Sequence, residues 1–457
     1  MQTETPPAEY SAEPLLFYNG NAYKNEYIIV LQEVYMKQDR FSYPSKQAVA
    51  DDARQRNLPL PWSERTELLA EPCELSGISL RNRLLAQPIE GFDADPDGSP
   101  SNRTVRRYCE LARGGSGALW LESVSGNHQG RSNPMQLWIT EENADTFKSL
   151  VSAIRESAPG KIYLVLQLTH SGRNSNPDGT PTPICAFHSH AIPKENETII
   201  TDEALEALEE DYVRAALLAE QAGFDAVDIR ACHGYLINEL FAAVNRPGRY
   251  GGSFENRTRL LMNIVDRVQR VSRVTVGVRI NMYDGIPYPD GWGANRSDGR
   301  NMDLTEPMRL ISALYAHGVR LLNVTCGVGA YSPFVIRPYD TGGPEPWEHP
   351  LKGISRMQLC AKEVKQAAPE AVVIASAFSW LREAAPLVAA GGIEAGWYDV
   401  AGFGRDSIAN PSYANDILQT GELRRENCCV ACCGCTNLIK KSGKMLRCIM
   451  RSSADSL

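Results

Sequence analysis

The chain's most constraining feature is a repeat of form. Eight short apolar runs recur along it, and each is followed by a stretch with helical periodicity. The runs are Arg83–Pro88, Ala118–Glu122, Ile162–Leu168, Ala226–Arg230, Thr275–Ile280, Leu321–Val324, Val372–Ala375 and Ala395–Val400. Helical windows follow near 104–113, 143–157, 202–222, 255–272, 303–317, 352–367, 380–390 and 411–419. Strands that alternate with helices predict a parallel sheet, and eight such units predict an α/β fold of the (β/α)8 TIM-barrel kind. The rival is a doubly wound open sheet, which would place G-x-G-x-x-G directly after a strand. No such match occurs. A chain of 457 residues, 43% hydrophobic and 22% charged, suits one large barrel with additions. The predicted parts are an N-terminal extension over 1–65, a barrel over 66–420 and a cysteine-rich segment over 421–457.

Several partner classes are not expected. The net charge is −8 and no Lys/Arg-rich run stands out, so nucleic acid is not an expected partner. No stretch of 18 apolar residues occurs, and the acidic N-terminus lacks the pattern of a signal peptide. A cytoplasmic location without a membrane span is the expectation. Residues 1–65, with one apolar run from Tyr27 to Val34, read as an arm that packs on the barrel or on a neighbouring subunit of a homo-oligomer.

In a barrel of this kind the chemistry belongs just after the C-terminal ends of the strands. The polar residues there are Glu90, His170, Arg173, His233, Tyr235, Tyr331, Ser376 and Arg405. A second concentration lies further on. Of the 12 cysteines, Cys428, Cys429, Cys432, Cys433, Cys435 and Cys448 crowd near the end. One register reads Cys429-x2-Cys432-x2-Cys435-x12-Cys448. Three close thiolates and one distant partner suit a 4Fe–4S cluster. Structural zinc is the rival, although zinc ribbons use two separated C-x2-C pairs. Cys428 and Cys433 leave the register open.

The segment Phe224 to Val268, with HGY and YGGS-x-ENR, resembles the signature of the Old Yellow Enzyme superfamily. With the cysteine tail, the chain is similar to the iron–sulfur branch that includes 2,4-dienoyl-CoA reductase, 2-enoate reductase and trimethylamine dehydrogenase. The resemblance implies FMN as cofactor. It places Pro88 and Ile89 against the isoalloxazine and Gln167 on the pyrimidine edge. Arg279 falls near N1 and the C2 carbonyl, where a cation stabilises reduced flavin. Ser376, Ala377, Gly402, Gly404 and Arg405 fall at the phosphate, Arg405 adding charge. It also implies that Tyr235 donates a proton to substrate and that His233 polarises the substrate carbonyl. Tyr331 is the alternative donor.

Three departures from the family pattern stand out. Arg230 replaces a histidine three positions before His233, which implies an anionic or strongly polar substrate end or a restructured pocket. The loop Asn245 to Ser253 is one residue shorter than usual and lacks an Asp. Only nine residues follow Cys448, where larger relatives continue into dinucleotide-binding lobes. A separate electron-transfer protein or subunit is therefore expected, with direct reduction of FMN by NAD(P)H as the competing route. The leading expectation is reduction of an electron-poor C=C bond of a small unsaturated carbonyl compound. The alternative is an amine or N-methyl dehydrogenase sending electrons from FMN to the cluster.

Overall fold

The computed structural model describes residues 40–442 and 446–451. Tyr27–Val34 lies outside the described residues. Eight strands, β1 (Leu84–Ala86), β2 (Ala118–Ser125), β3 (Tyr163–Thr169), β4 (Ala226–Ile229), β5 (Thr275–Asn281), β6 (Leu321–Thr325), β7 (Val372–Ala375) and β8 (Val400–Phe403), form a closed barrel. Each pairs in parallel with its chain neighbour, and β8 closes on β1 through Ala401 opposite Leu84 and Phe403 opposite Ala86. Parallel strands covered on both faces need apolar residues at nearly every position. That is why the runs were continuous rather than alternating.

The helices are α1 (Asn102–Arg113), α2 (Ala144–Ser157), α3 (Asp202–Ala222), α4 (Phe254–Val271), α5 (Thr305–Ala316), α6 (Pro350–Ala367), α7 (Ala385–Glu394) and α8 (Tyr413–Thr420). Local chemistry sets their ends. Thr201 accepts from the Ala204 N–H to open α3, and Gly223, at φ 92°, closes it. Ser253 caps α4 in the same way. The shortened loop before α4 takes its anchors from α3: Asp202 accepts from Arg246, and Glu209 accepts from the Tyr250 hydroxyl at 3.1 Å. No helix among the described residues is long and apolar enough to cross a membrane.

The eighth strand falls later than expected, at Val400–Phe403 rather than Ala395–Val400. Ala395 still belongs to the end of α7, donating to Gly391, and Gly396 turns the chain at φ 67°. Tyr398 folds back so that its hydroxyl reaches the Val388 carbonyl at 3.1 Å. The apolar signal of this stretch comes from helix packing, while the true strand contains a glycine. The expected runs for β1 to β7 fall on the observed strands.

One mouth of the barrel is plugged. An antiparallel hairpin, Cys73–Leu75 with Ile78–Leu80, precedes β1. Cys73, Ile78 and Leu80 pack with Ala118, Leu321, Val372 and Val400, the opening residues of their strands, and with Trp120 and Ile374 further in. The N-terminal mouth is thus solid apolar core, and a ligand must enter from the other end. The described part of the arm also packs on the barrel. Phe41 and Tyr43 lie edge-on to Trp380, with ring centroids 5.0 and 5.9 Å away. The helix Lys46–Gln55 follows them, with Ser45 as its cap.

Ile78→Ala should cost about 2–5 kcal/mol of unfolding free energy, as buried large-to-small changes do. Urea denaturation measures the loss. Because the plug lies opposite the open mouth, ligand binding to the folded fraction should be unaltered.

Candidate active site

The strand ladder between β2 and β3 slips between Trp120 and Ser123. Such a bulge re-aims neighbouring side chains. Here it sends Glu122 towards α1 and lets Ser123 line the open mouth of the barrel. That mouth holds a cavity of about 820 Å³. Pro88, Ile89, Gln167, Arg279, Ser376, Ala377, Gly402, Gly404 and Arg405 all line it, as do Arg230, His233 and Tyr235. The fold therefore gathers these positions from six different strand ends. Tyr331 is not among the lining residues; it sits edge-on to Trp347 at 6.5 Å.

The cavity floor is cationic. Arg279 is 7% exposed, and no carboxylate among the described residues pairs with its guanidinium; its Nε has no hydrogen-bond partner. Burial lowers its pKa, and Arg230 lowers it further. A buried unpaired cation is costly. Arg337, from the loop after β6, also lines the cavity with a buried and unpartnered Nε. Sequence reasoning missed it, because no strand end announces it.

Gln167 is held by both ends of its amide. Its Oε1 accepts from Ser123 at 2.8 Å, and its Nε2 donates to Asp228 Oδ2 at 2.6 Å, leaving one N–H unused. Asp228 also accepts from the Trp120 indole at 2.8 Å and the Arg279 backbone N–H at 2.5 Å. Burial raises the Asp228 carboxyl to about 6 against the pull of these donors. On the opposite side Gln87 donates to Ser376 Oγ at 3.0 Å and exchanges hydrogen bonds with Asn323. A Cβ on Gly402 would lie 2.0 Å from the Gln87 amide nitrogen and would displace that amide. Gly404 has no atom nearer than 3.7 Å to such a Cβ and leaves its backbone open to the cavity.

Arg230 does not present a free charge. It pairs with Glu90 at 3.0 Å, donates to Ser123 Oγ, and lies over the Tyr235 ring 3.3 Å from its centroid. The Tyr235 hydroxyl donates to the same Glu90 oxygen at 2.9 Å. The Arg230 cation is thus ion-paired within the protein. Burial pushes the Tyr235 phenol up and Glu90 adds to this, with Arg230 opposing. His233, at φ 63°, bonds Thr325 Oγ1 through Nε2 at 3.0 Å. Burial, then Arg279, Arg230 and Arg337, hold its pKa well below the ordinary value, so the imidazole is neutral.

Behind Glu90 lies a buried ion cluster. Gly91 N–H donates to Glu122 Oε2 at 2.8 Å. Arg107 bridges Glu122 at 2.5 Å and Asp93 at 2.8 Å. A Cβ on Gly91 would strike Arg107 Nη2 at 2.2 Å. The Gly91 carbonyl accepts from the Leu446 N–H at 2.9 Å, which ties the C-terminal segment to the cavity rim.

The cysteine segment forms the cavity's far wall. Cys429, Cys432, Cys433, Cys435 and Cys448 line a small second cavity together with Arg405 and Ile408. Cys435, Arg405 and Ile408 line both cavities. Cys428 stands apart, its thiol against the Arg424 carbonyl at 3.3 Å. Among the described residues no three His, Cys, Asp or Glu side chains are disposed as a metal site. The expected four-thiolate cage is thus not formed as such, although its four cysteines share one cavity. Burial pushes all four thiols up, and protonated thiols have no electrostatic reason to converge.

Residues 68–423 match the NADH:flavin oxidoreductase / NADH oxidase family. The chain belongs to that family. It is a flavin-dependent oxidoreductase of the Old Yellow Enzyme type, and FMN is its cofactor. It is 30% identical over 280 residues to an NADPH dehydrogenase of Geobacillus sp. (strain WCH70), covering 60% of this chain and 76% of that one. It is 27% identical over 396 residues to an NADH oxidase of Thermoanaerobacter brockii, covering 83% of this chain and 55% of the relative. A 2-naphthoyl-CoA reductase, solved with 2-naphthoyl-CoA, shares the fold with TM-score 0.70 at 21% identity, covering 84% of this chain and 57% of that chain. The flavoenzyme therefore spans little more than half the length of the last two.

Arg107→Ala should cost about 3–5 kcal/mol, because Glu122 and Asp93 are left without their buried counter-charge. The sign of the pH dependence follows from Glu122. Burial already raises its folded pKa, opposed by Arg107, and loss of Arg107 raises it further. A raised carboxyl pKa removes stability as pH climbs from the unfolded to the folded value. Urea titrations should therefore show a larger deficit at pH 8 than at pH 5.

Proposed function

We propose that this flavoenzyme reduces an electron-poor C=C bond conjugated to a carbonyl, using FMN in the large cavity and a 4Fe–4S cluster on Cys429, Cys432, Cys435 and Cys448. The observation that carries the reading is the floor of the cavity. It combines cations without carboxylate partners, Arg279 and Arg337, with a neutral imidazole and a phenol held protonated. Such a floor favours a reaction in which negative charge develops on a carbonyl oxygen and a proton is then delivered. It does not favour a cationic amine, which weighs against the dehydrogenase alternative.

The residues fit FMN. Arg279 would sit against the electron-rich N1–C2 region, which supplies its missing partner. The remaining N–H of Gln167 is available to a pyrimidine carbonyl, with Asp228 and Ser123 fixing the amide. Pro88 and Ile89 line the wall beside the ring. Ser376, Ala377 and the open backbone at Gly404 suit a phosphate, and Arg405 offers a buried Nη1 that has no partner among the described residues. Arg337 adds a second charge from the loop after β6. In keeping with a cluster, the four cysteines share one cavity with Cys433, and Cys428 does not line it. When bound, the flavin supplies hydride and the cluster supplies single electrons.

The chain's own part in the reaction is positional and protic. Neutral His233, braced by Thr325, donates a hydrogen bond to the substrate carbonyl. Tyr235 gives its hydroxyl proton to the α-carbon. A reductase bound to 2-naphthoyl-CoA has the same fold, in keeping with an unsaturated carbonyl substrate here. Electrons enter from a separate electron-transfer protein; the competing route is NAD(P)H acting directly on FMN, after the names of the relatives.

The decisive experiment is anaerobic reduction of the purified protein followed by mixing with enoates, enones and amines. Flavin reoxidation by enoates or enones is expected. Exchange of electrons with amines alone would sink the reductase reading. Tyr235→Phe should slow that reoxidation by about 10²–10⁴-fold while flavin reduction stays near normal.

Released flavin should be FMN, and Arg405→Ala should weaken its retention by about 1.5–3 kcal/mol, the worth of a charge-assisted contact. Equilibrium dialysis measures this. After anaerobic purification about four irons and four sulfides per chain are expected. Cys432→Ser should abolish them and Cys428→Ser should not. Zinc in place of iron would refute the cluster.

A further inference from the structure

The large cavity continues past the residues that suit the flavin. Its outer wall comes from the loops after β2 and β3. Pro134 and Met135 belong to the first loop; Pro181, Pro183 and Ile192 belong to the second. β3 lies four strands from β7 in either direction round the barrel, so this wall stands across the mouth from the residues that suit the phosphate. The polar side chains between the apolar ones, such as Asn133 and Asn176, are uncharged. Met135 is 37% exposed, and among the described residues only Val271 and Tyr288 are large hydrophobics as open as this. Neither of those lines the cavity. An apolar face left open at the mouth of a cavity is the signature of a ligand contact, and methionine adapts well to varied apolar shapes.

The wall is held in place by the protein's own hydrogen bonds. The Asn176 N–H donates to the Arg131 carbonyl at 2.9 Å and the Ser171 N–H to the Gly130 carbonyl at 2.8 Å, which joins the two loops. Met135 donates its N–H to Asn133 Oδ1 at 2.8 Å and accepts from the Ala94 N–H at 3.1 Å. Arg173 Nη1 donates to the Ile192 carbonyl at 2.7 Å, while the same guanidinium pairs with Glu197 at 3.3 Å and with Glu239. Arg173 lines the cavity, yet its charge is neutralised and its role here is to brace the wall. Asp290 holds the same loop by accepting from the Ala191 N–H at 2.9 Å, and the Pro183 carbonyl accepts from the Thr198 N–H at 2.9 Å. A surface fixed in advance loses little freedom when a ligand covers it.

The cavity is thus divided by chemistry. Its floor carries cations that suit a flavin and a developing oxyanion. Its outer wall offers apolar surface, with the exposed Lys194 at the rim as the one charge there that has no ion pair among the described residues. A short enone over the floor would leave Met135, Pro181 and Ile192 against water. We propose that this wall is a specificity subsite for an extended apolar body of the substrate, an alkyl chain or aromatic rings joined to the reacting C=C–C=O unit. The inference rests on the reading of the cavity as the place of FMN and the alkene. It sharpens the substrate class from any small unsaturated carbonyl compound to one with a sizeable apolar part. Burying that part tightens binding by about 3–4-fold per methylene.

The test uses the full-length holoenzyme with oxidised flavin, so that binding is read without turnover. The probes are saturated methyl ketones whose alkyl chain lengthens one methylene at a time, and binding is followed by the perturbation of the flavin absorbance. Kd should fall about 3–4-fold per methylene until the wall is covered. Met135→Gln and Ile192→Gln should each flatten that slope, and Met135→Leu should keep it. Val271→Ser, at the end of α4 and outside the cavity, should leave it unchanged. A chain that ends in a carboxylate should bind more weakly than a methyl-ended chain of equal length. In the reaction itself, kcat/KM for reoxidation of reduced flavin should rise with the length of β-alkyl enones in the same way.

A Kd that does not change with chain length overturns the subsite, and so does a slope that is the same in wild type, Met135→Gln and Ile192→Gln. Reoxidation of the flavin by enones would then still uphold the reductase reading. Tighter binding of the carboxylate-ended chains would assign the wall to Lys194 and an anionic tail, and the apolar assignment would fall. If the ketones bind with the expected slope but no enone of any length reoxidises the flavin, the reductase reading falls and the wall stands as a site for apolar ligands.

Discussion

The ion pair between Arg230 and Glu90 sets the charge balance on which the rest of the site depends. It joins the end of β4 to the loop after β1, across the open mouth of the barrel. The same guanidinium covers the Tyr235 ring and reaches Ser123, which in turn donates to Gln167. A single buried cation therefore fixes a phenol, a carboxylate and the amide chain that ends at Asp228. Without it Glu90 would be a half-buried anion beside Tyr235 and would hold that phenol's proton more firmly still. With it, the carboxylate sits beside the phenol without an uncompensated charge.

Three other guanidiniums are arranged in the opposite sense. Among the described residues, Arg279 and Arg337 face the cavity without carboxylate partners, and Arg405 keeps one buried nitrogen unpaired. The chain thus spends its acidic residues selectively at this mouth, neutralising Arg230 and leaving three cations for an anionic or electron-rich guest. The same field explains His233. Buried and surrounded by Arg279, Arg230 and Arg337, it stays neutral.

Much of this was legible in the residues. Continuous apolar runs gave the strands because both faces of a parallel barrel are buried, and the polar residues named at the strand ends line the cavity, His170 and Tyr331 excepted. The failures have physical causes. β8 was displaced because Trp397 and Tyr398 carry apolar signal that serves α7, whereas the strand itself contains Gly402. Ser123 was invisible because a bulge, which leaves no mark in the sequence, turns it into the cavity. Arg337 was missed because it comes from a loop well past β6. The two readings of Arg230, a polar or anionic substrate end and a restructured pocket, could not foresee Glu90, 140 positions earlier in the chain. Ion pairing across a barrel mouth is a tertiary fact.

The C-terminal segment is more than an attachment to this barrel. Leu446 donates to the Gly91 carbonyl and, with Thr436 and Ile439, walls the large cavity. Arg405, Ile408 and Cys435 face both that cavity and the one the cysteines share. Gly91 is thereby gripped from two sides, by Glu122 beneath it and by the cysteine segment above. Anything that orders the cysteines also orders the loop that carries Glu90, because the two share a backbone hydrogen bond. The C-terminal segment and the loop that carries Glu90 are joined through that one glycine. It is a position where a side chain would collide with the guanidinium of Arg107. The coupling is therefore steric as well as electrostatic.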